Sequence, residues 1–318
     1  MKKITSKVVF INVTEDMTPQ RIDNYLFSKY KKIPKDMVYK ILRKGRIRIN
    51  KKRILPSYKL KKGDIIRIPP IQTNDIKTYP KIINNHEIIK LSNQILFEDD
   101  YLIIINKPSG IAVHGGSGVS NGVIEKFRLL RPDSKKLELV HRIDKETSGI
   151  LIISKKHFAL KELHQQLREK KIKKKYITFV HGQWPYNTKI IKVPLLKKKG
   201  ISTMNKNQVY VNNSGKISET YFKIIKNYPK TTLISAFPKT GRTHQIRVHA
   251  LHAGHPIVFD HRYGSSQLDL EINKNNHLSK RLLLHAQSIT FIHPYSKKKM
   301  YIEAPLDHTF KQCFDLFN

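Results

Sequence analysis

The feature that most constrains the fold of this chain is a polar segment, residues 141–149, which lies between two largely apolar runs. Residues 137–140 lead into the segment and residues 150–153 follow it, and short apolar runs of this kind are typical of buried strands. The segment ends in the tripeptide Thr-Ser-Gly, which favours a sharp turn. The sequence therefore predicts two core strands joined by a polar connection.

The polar connection presents a carboxylate, Asp144, between the cations Arg142 and Lys145. Neighbouring cations favour the ionised form of a carboxyl group, and an ionised carboxylate can act as a nucleophile. The alternative is a polar turn whose charge stays solvated. Spacing alone favours this plainer interpretation, so further motifs have to decide between the two.

Several segments of the chain match the motifs of one enzyme family, in the expected order. Residues 141–149 (HRIDKETSG) resemble the HRLD-x-x-TSG signature of the RluA-type pseudouridine synthases, which modify RNA, with Ile143 where leucine is usual. Other segments that resemble motifs of this family are residues 106–114 (NKPSGIAVH), 175–182 (KYITFVHG), 241–249 (GRTHQIRVH) and 254–264. The resemblance spans essentially the whole chain, and an ordered set of motifs is far more specific than any one of them.

The distribution of apolar runs predicts the fold class. In residues 93–318, short apolar runs alternate with turns and few segments have helical spacing, which is typical of an α+β domain with a mixed sheet. The resemblance implies that this is a pseudouridine-synthase catalytic domain with a largely antiparallel sheet and a central active-site cleft.

Residues 18–70 are predicted to form a small unit of their own. Thr18 and Pro19 are expected to start a first helix and Pro34 a second one, and Gly45 stands where a C-terminal helix cap belongs. A short hairpin is expected to follow. This arrangement of two helices and a hairpin resembles the S4 RNA-binding domain.

The S4-like unit is rich in cations. The resemblance implies a surface that faces RNA phosphates, formed by Lys35, Lys40, Arg43, Lys44, Arg46 and Arg48. Solvated helix charges are the alternative. Residues 71–92, which have no clean period, are predicted to link this unit to the catalytic domain.

The net charge of the chain indicates the class of its partner. Its 61 Lys and Arg residues against 24 Asp and Glu residues give a formal charge of +37, an excess that folding alone does not need. Nucleic acid is the first candidate partner. An anionic membrane is the rival, but the sequence has no run of about 18 apolar residues, so no membrane partner is expected. The single cysteine, Cys313, can form no internal disulfide, which fits a reducing cytoplasm.

The resemblance also implies a reaction and the residues that perform it. The family breaks the N1–C1′ bond of uridine, rotates the uracil in place and rejoins it through C5, with no metal, redox partner or nucleotide cofactor. Asp144 matches the catalytic aspartate, Arg247 the arginine that pairs with it through a two-point fork, and Tyr176 the tyrosine that packs on the target base. From residue types alone, Arg247 could instead bind phosphate and Tyr176 could be a core residue. Whether Asp144 attacks C1′, adds to C6 or assists elimination stays open.

Two further features concern access to the RNA. Arg142 resembles the family arginine that occupies the place of the extruded base. The lysine-rich residues 170–175 adjoin Tyr176 and are predicted to guide the RNA backbone, although a charge run is more often a solvated face.

A group of histidines raises the question of a metal site. Their spacing is not that of the H-E-x-x-H zinc sites, and no carboxylate or cysteine is interleaved among those that lie close in sequence. No metal site is therefore predicted. The histidines considered are His114, His141, His244, His249, His252 and His255.

The expected substrate is ribosomal RNA. The narrower resemblance is to the large-subunit ribosomal type of the family, through residues 38–45, 114–118 and 163–170. It implies 23S rRNA as the substrate, free or in an assembly intermediate, with several target uridines, some of them near the peptidyl-transferase centre. The alternatives are uridines of other rRNA or of tRNA, and a non-catalytic RNA-binding or ribosome-assembly protein that has the same fold.

Overall fold

The chain divides into two compact units, Met1–Ile83 and Asn84–Asn318. The structure is a computed structural model and describes residues 2–5, 8–30, 33, 35–73, 85–115, 122–131, 137–198, 208–274 and 280–318.

The segment predicted as a linker, residues 71–92, has regular structure at both of its ends. A strand (Ile71–Thr73) and a helix (Asn85–Ser92) occupy these ends, and residues 74–84 lie outside the described part of the chain. The strand pairs in antiparallel register with Lys2–Thr5. This partner is distant in the chain, so the residues around Ile71–Thr73 give no sign of the pairing. The sequence therefore does not predict this strand.

The first unit contains, within its described residues, a four-stranded sheet, a two-stranded sheet and two helices. Its elements are β1 (Lys2–Thr5), β2 (Val9–Asn12), a 3₁₀ turn (Glu15–Met17), α1 (Ile22–Lys29), α2 (Lys35–Arg43), β3 (Arg48–Ile49), β4 (Lys52–Arg53), β5 (Ile65–Ile68) and β6 (Ile71–Thr73). The larger sheet has the antiparallel order β2-β5-β3-β4. Both helices pack with this sheet around one hydrophobic core. The core includes Ile22, Leu26, Val38, Leu42 and Ile66.

Helix α2 ends as the sequence predicts. Gly45 has a φ of +65°, its N–H donates to the Leu42 carbonyl, and the Arg46 N–H donates to the Ile41 carbonyl. This pair of hydrogen bonds is the Schellman arrangement. Glycine permits it because a left-handed backbone costs little without a Cβ.

The predicted start of the first helix is wrong. Helix α1 begins at Ile22 with Arg21 as its N-cap. The Thr18 hydroxyl instead donates back to the Glu15 carbonyl, and so does its N–H. Thr18 therefore closes the preceding 3₁₀ turn rather than capping the helix that follows.

The second unit is built on one large sheet. Its elements are α3 (Asn85–Ser92), β7 (Ile95–Glu98), β8 (Leu102–Lys107), α4 (Val123–Leu130), β9 (Glu138–Leu139), β10 (Ser148–Ser154), α5 (His157–Arg168), β11 (Lys173–His181), β12 (Ile190–Lys198), β13 (Gln208–Val211), β14 (Lys216–Asn227), β15 (Thr231–Pro238), α6 (Gln245–His252), α7 (Ser266–Asn273), β16 (Leu284–Ile292), β17 (Lys299–Glu303) and α8 (His308–Leu316). The strand order is β13-β12-β14-β15-β11-β16-β10-β8-β7, with β17 beside β16 and β9 beside β10.

The direction of the strands confirms the predicted fold class. The pair β10–β16 is parallel, and the other pairs among the described strands of this unit are antiparallel. The unit is therefore α+β with a mixed, largely antiparallel sheet. Strand β10, predicted as a buried run, is buried at every position. Its side chains alternate between two hydrophobic clusters, so both faces of this part of the sheet are covered.

The sharp turn expected at the Thr-Ser-Gly tripeptide is absent from the described residues there. Ser148 and Gly149 are already part of β10 and pair with His285 and Ala286 of β16. Gly149 has a φ of +104°, and a Cβ on it would collide with the carbonyl oxygen of Ala286. Glycine is needed here for the close approach of two strands, not for a turn.

Candidate active site

The predicted catalytic residues meet at a cleft in the second unit. The cleft has a volume of about 490 Å³. It lies between the loop that precedes β10, the end of α5, the start of β11 and residues 238–247. The residues predicted to act in catalysis or base flipping that line it are Asp144, Arg142, Tyr176 and Arg247.

The loop that carries Asp144 is tied to the segment that follows β8. The Gly110 N–H donates to the Lys145 carbonyl at 2.9 Å, and the Ser109 hydroxyl donates to the Glu146 carbonyl at 2.5 Å. These bonds flank Asp144 on its C-terminal side. They join two segments that are distant in sequence.

A buried lysine strengthens this connection. The side chain of Lys107 is 0% exposed and donates to the carbonyl groups of Pro108, Ile111 and Lys145 at 2.7, 2.9 and 3.1 Å. These three acceptors match the three N–H groups of an ammonium. Burial lowers the pKa of Lys107 to about 7, whereas nearby carboxylates, first of all Glu146, act in the opposite direction.

Arg247 lies in the first turn of α6 and bridges two carboxylates. Its Nη1 donates to Asp144 Oδ2 at 3.3 Å, whereas its Nε and Nη2 donate to Asp260 at 2.8 and 2.6 Å. The two-point fork predicted with Asp144 is therefore made with Asp260. The Asp260 side chain is 0% exposed and accepts hydrogen bonds from the Arg262 and Tyr263 N–H groups. It therefore binds Nε and Nη2 of the guanidinium, and Nη1 remains for Asp144.

Asp260 and Arg247 each stabilise the charged form of the other. Burial by itself raises the pKa of Asp260, but the hydrogen bonds and the charge of Arg247 outweigh burial, and the pKa lies below its usual value. Burial likewise lowers the pKa of Arg247, and the contributions of Asp260 and Asp144 more than offset it, so the pKa is raised. Arg247 therefore stands beside Asp144 as a permanent, immobile cation.

Tyr176 enters the cleft from β11. The register between β11 and β16 shifts between Lys175 and Tyr176, a bulge of the kind that is frequent next to active sites. The ring is half-buried and packs against two hydrophobic clusters. Burial, and then the charge of Asp144, raise the pKa of Tyr176 well above its usual value. The hydroxyl therefore stays protonated, and the ring offers a flat apolar face to a base.

The loop before α6 is fixed by the amide of Gln245. Its Oε1 accepts from the Thr240 hydroxyl at 2.7 Å and from the Arg242 N–H at 3.0 Å. Its Nε2 donates to the Glu219 carbonyl at 3.0 Å and to the Thr220 hydroxyl at 2.9 Å. All the hydrogen-bonding capacity of the amide is thus used to place the start of the helix that carries Arg247.

Cations surround the cleft. Of the lysine-rich run 170–175, the two lysines that line the cleft are Lys170 and Lys174, and burial lowers the pKa of Lys174. Arg142 is exposed, so its side chain is accessible to RNA. The other cations that line the cleft are Arg168, Lys239, Arg242 and Arg247.

Four of the histidines weighed as metal ligands, His141, His244, His249 and His255, take part in side-chain hydrogen bonds of the fold. His249 Nε2 lies 2.7 Å from the Ser218 hydroxyl, and His255 Nδ1 lies 2.9 Å from the His181 carbonyl. Within the described ranges, no group of three or more His, Cys, Asp or Glu residues is placed to hold a metal ion.

The predicted RNA-facing cations of the first unit are exposed where their side chains are described. These residues are Lys40, Arg43, Lys44, Arg46 and Arg48. Lys35 lies in α2, but its side chain is outside the described part of the chain. Contact between these residues and RNA stays a prediction. In the part of the chain that the structure covers, no helix is both long and apolar enough to cross a bilayer.

Sequence reasoning missed two residues of the site, Asp260 and Tyr263, and considered His244 only as a metal ligand. The segment 254–264 resembles a family motif and so marked the right stretch of chain. No local pattern shows that Asp260 faces Arg247, because that contact depends on how α6 and the following loop pack together.

The fold and this cleft define the class of the protein, and comparison with known families agrees. Residues 101–252 match a family model described as RNA pseudouridylate synthase, and residues 20–66 match the S4 domain. The chain resembles the solved structure of Human RNA Pseudouridylate Synthase Domain Containing 4, with a TM-score of 0.59 and 22% identity over 73% of this chain and 96% of that one, which concerns the fold alone.

Curated relatives match over the full length. Ribosomal large subunit pseudouridine synthase C of Buchnera aphidicola subsp. Acyrthosiphon pisum (strain APS) is 58% identical, over 98% of this chain and 97% of that protein. The protein of the same name from Yersinia pestis is 49% identical, over 98% of this chain and 97% of that protein. The chain therefore belongs to the RNA pseudouridylate synthase family, and the predicted resemblance to its large-subunit ribosomal type is confirmed.

Proposed function

We propose that this protein isomerises uridine to pseudouridine at several positions of 23S rRNA, some near the peptidyl-transferase centre, with Asp144 as the catalytic carboxylate. The observation that carries the proposal is the hydrogen bond from Arg247 Nη1 to Asp144 Oδ2, at 3.3 Å, in a cleft that Tyr176 also lines. Relatives that match the whole chain and are named for the large ribosomal subunit support the choice of substrate.

The reaction needs a carboxylate that stays charged next to the target sugar and base. Attack at C1′, addition at C6 and assisted elimination share this need. Arg247 supplies a fixed positive charge in contact with Asp144, and Asp260 holds Arg247 in place. Tyr176 offers its ring to the uracil, and stacking of a base on an aromatic ring is worth about 1–3 kcal/mol.

The target base must leave the RNA stack before it can enter the cleft. Unstacking costs a few kcal/mol, and a guanidinium that takes the vacated place offsets part of that cost. Arg142 is exposed and lines the cleft two residues before Asp144, so it is the residue assigned to this role. In an Arg142→Ala variant, the fluorescence increase of a reporter base next to the target should be lost. Unchanged fluorescence would assign flipping to another residue.

RNA is the partner of both units. The exposed cations of the S4 unit and those of the cleft are suited to phosphate contacts with free rRNA or an assembly intermediate. The proposal places the protein in the cytoplasm, where a single buried thiol, Cys313, needs no disulfide partner. No step of the proposed chemistry requires a metal or a nucleotide cofactor.

The test is pseudouridine formation on protein-free 23S rRNA, read as carbodiimide-dependent stops of reverse transcription. Wild type, Asp144→Asn and Asp315→Asn are compared, because Asp315 is an exposed aspartate of the last helix and serves as a matched control. Stops with wild type and Asp315→Asn but none with Asp144→Asn are expected, and their positions identify the targets.

Other outcomes of this test are equally informative. Stops that appear only on another rRNA or on tRNA would identify that RNA as the substrate in place of 23S rRNA. An absence of stops on every RNA despite tight binding would favour a non-catalytic RNA-binding or ribosome-assembly protein. Stops that persist with Asp144→Asn would show that Asp144 is not the catalytic carboxylate.

A further inference from the structure

His244 stands at the cleft with a backbone conformation that calls for an explanation. It is the N-cap of α6 and has a φ of +53°, in the left-handed region that few residues other than glycine adopt. Its Nε2 lies 3.9 Å from Asp144 Oδ2, and its side chain is 12% exposed. Such strain persists only where the surrounding structure holds it, and it often marks a functional position.

The hydrogen bonds of Tyr263 determine which nitrogen of His244 carries the proton. The Tyr263 hydroxyl accepts from the Val209 N–H at 3.0 Å and lies 2.7 Å from His244 Nδ1. Among the described residues, His244 Nδ1 is the acceptor within reach of the hydroxyl proton. The hydroxyl therefore donates to Nδ1, and in a neutral ring the proton must then be on Nε2.

The surroundings keep this ring neutral. Burial lowers the pKa of His244 to about 4, which outweighs the opposite influence of Asp144, and Arg247 and Arg262 add to the lowering. The Nε2–H group is thus a neutral donor whose nitrogen lies 3.9 Å from Asp144 Oδ2. A separation of 3.9 Å is too long for a hydrogen bond between the two, so the donor is available to an oxygen that lies near both.

We propose that His244 is a substrate-contacting residue: its Nε2–H donates a hydrogen bond to an oxygen of the target uridine beside Asp144, and Tyr263 is the positioning residue that fixes the tautomer this requires. The inference rests on the proposed function, since it takes a uridine in the cleft as the ligand. The ring of Tyr263 also lies 5.1 Å from the guanidinium carbon of Arg247, so it supports both neighbours of Asp144.

The tautomer can be tested without any assay of activity. In protein labelled with ¹⁵N-histidine, long-range ¹H–¹⁵N spectra distinguish the Nε2–H form, the Nδ1–H form and the cation, and His244→Gln assigns the signal. We expect the Nε2–H form throughout pH 6–8, a mixture of tautomers in Tyr263→Phe, and an unchanged signal in Tyr228→Phe, a buried tyrosine of another cluster. An Nδ1–H form, or a ring that titrates in this range, would overturn the assignment.

The contact with the substrate is tested by kinetics on an rRNA fragment that the wild type modifies. His244→Phe keeps an aromatic ring but has no donor, whereas His244→Gln keeps an N–H group at a similar reach. Loss of one hydrogen bond predicts a fall in kcat of about tenfold for the Phe variant, with recovery of most of it in the Gln variant and an unchanged Kd for RNA. Because Tyr263 acts through His244, adding Tyr263→Phe to His244→Phe should cause little further loss.

Two results would reject the contact: equal kcat values for the Phe variant and the wild type, or losses that multiply in the double variant. Failure of the proposed function is distinguishable from either. An inactive wild type on every RNA would reject the proposed function, while the spectra would still report the tautomer.

Discussion

At the scale of single residues, Arg247 organises the site because it is shared by two acids of different kinds. Asp260 is fully buried and takes two of its N–H groups, whereas Asp144 lies at the cleft and takes one. Asp260 thereby orients the cation without competing for the substrate. We therefore expect Asp260 to influence both the stability of the protein and the proposed reaction.

Replacing Asp260 by asparagine tests this arrangement. It leaves Arg247 buried with a weaker partner, and breaking a buried ion pair typically costs about 3–5 kcal/mol. We expect a loss of that size in the free energy of unfolding at pH 7, measured with urea, and a strong decrease in pseudouridine formation. Asp315→Asn is the control, and a small effect of both variants would mean that Arg247 is held by other contacts.

The same variant changes the dependence of stability on pH. The pKa of Asp260 lies below its ordinary value of about 3.9, so its contribution is fully present above that pH and is lost as the pH falls through its folded-state pKa. The free energy of unfolding of Asp260→Asn should therefore fall less steeply than that of the wild type below about pH 4. Parallel curves for the two proteins would contradict the pKa shift of Asp260.

At the scale of elements, the parallel pairing of β10 with β16 positions the loop of Asp144. The two strands meet at Ser148–His285 and Gly149–Ala286, just after the loop ends. The Ser148 hydroxyl also lies 2.9 Å from His285 Nδ1, which joins the same two strands through side chains. The end of the loop that carries Asp144 is therefore fixed to the sheet.

Glycine-to-alanine substitutions separate crowding from backbone strain at this junction. Gly149 and Gly254 both have positive φ values, +104° and +81°, but only at Gly149 would a Cβ meet another backbone, whereas nothing lies within 4 Å at Gly254. Gly149→Ala should lower the free energy of unfolding by about 1–3 kcal/mol more than Gly254→Ala, because overpacking is added to the strain. Equal losses in urea titrations of the two variants would mean that the strands can separate at little cost.

At the scale of the whole molecule, charge is the property that both units share. The chain carries a formal charge of +37, and exposed cations occur on the S4 unit as well as around the cleft of the second unit. Binding to RNA should therefore depend steeply on salt, because each neutralised phosphate releases counterions.

The contribution of the S4 unit can be measured through this dependence. Replacing Lys40, Lys44 and Arg46 together by alanine should reduce the slope of log affinity against log salt by about 2, at about 0.7 for each phosphate contact on single-stranded RNA. The rate at saturating RNA should stay unchanged. An equivalent triple variant in the second unit, at the exposed residues Lys298, Lys299 and Lys311, is the control. Equal changes in both slopes would mean that the charge acts diffusely and that the S4 surface has no special role.

The sequence predicts a structural feature well when neighbouring residues determine it, and poorly when the feature depends on a partner distant in the chain. The buried strand β10 and the glycine cap of α2 follow from neighbouring residues, and the sequence predicts both. Strand β6 depends on a partner at the other end of its unit, and the start of α1 depends on a turn that takes the Thr18 side chain. Local patterns contain no information about such partners, so these predictions were missing or wrong.

The sequence by itself determined the family, the α+β class and the identity of Asp144, Tyr176 and Arg247 as candidates, because motif order and hydrophobic periodicity are properties of the chain alone. Only the tertiary structure showed that Arg247 makes its two-point contact with Asp260, that Gly149 lets two strands approach closely, and that the Tyr263 hydroxyl lies against His244 Nδ1. These features depend on distances and directions between side chains that are remote in sequence. Such geometry exists only once the sheet and its helices have packed together.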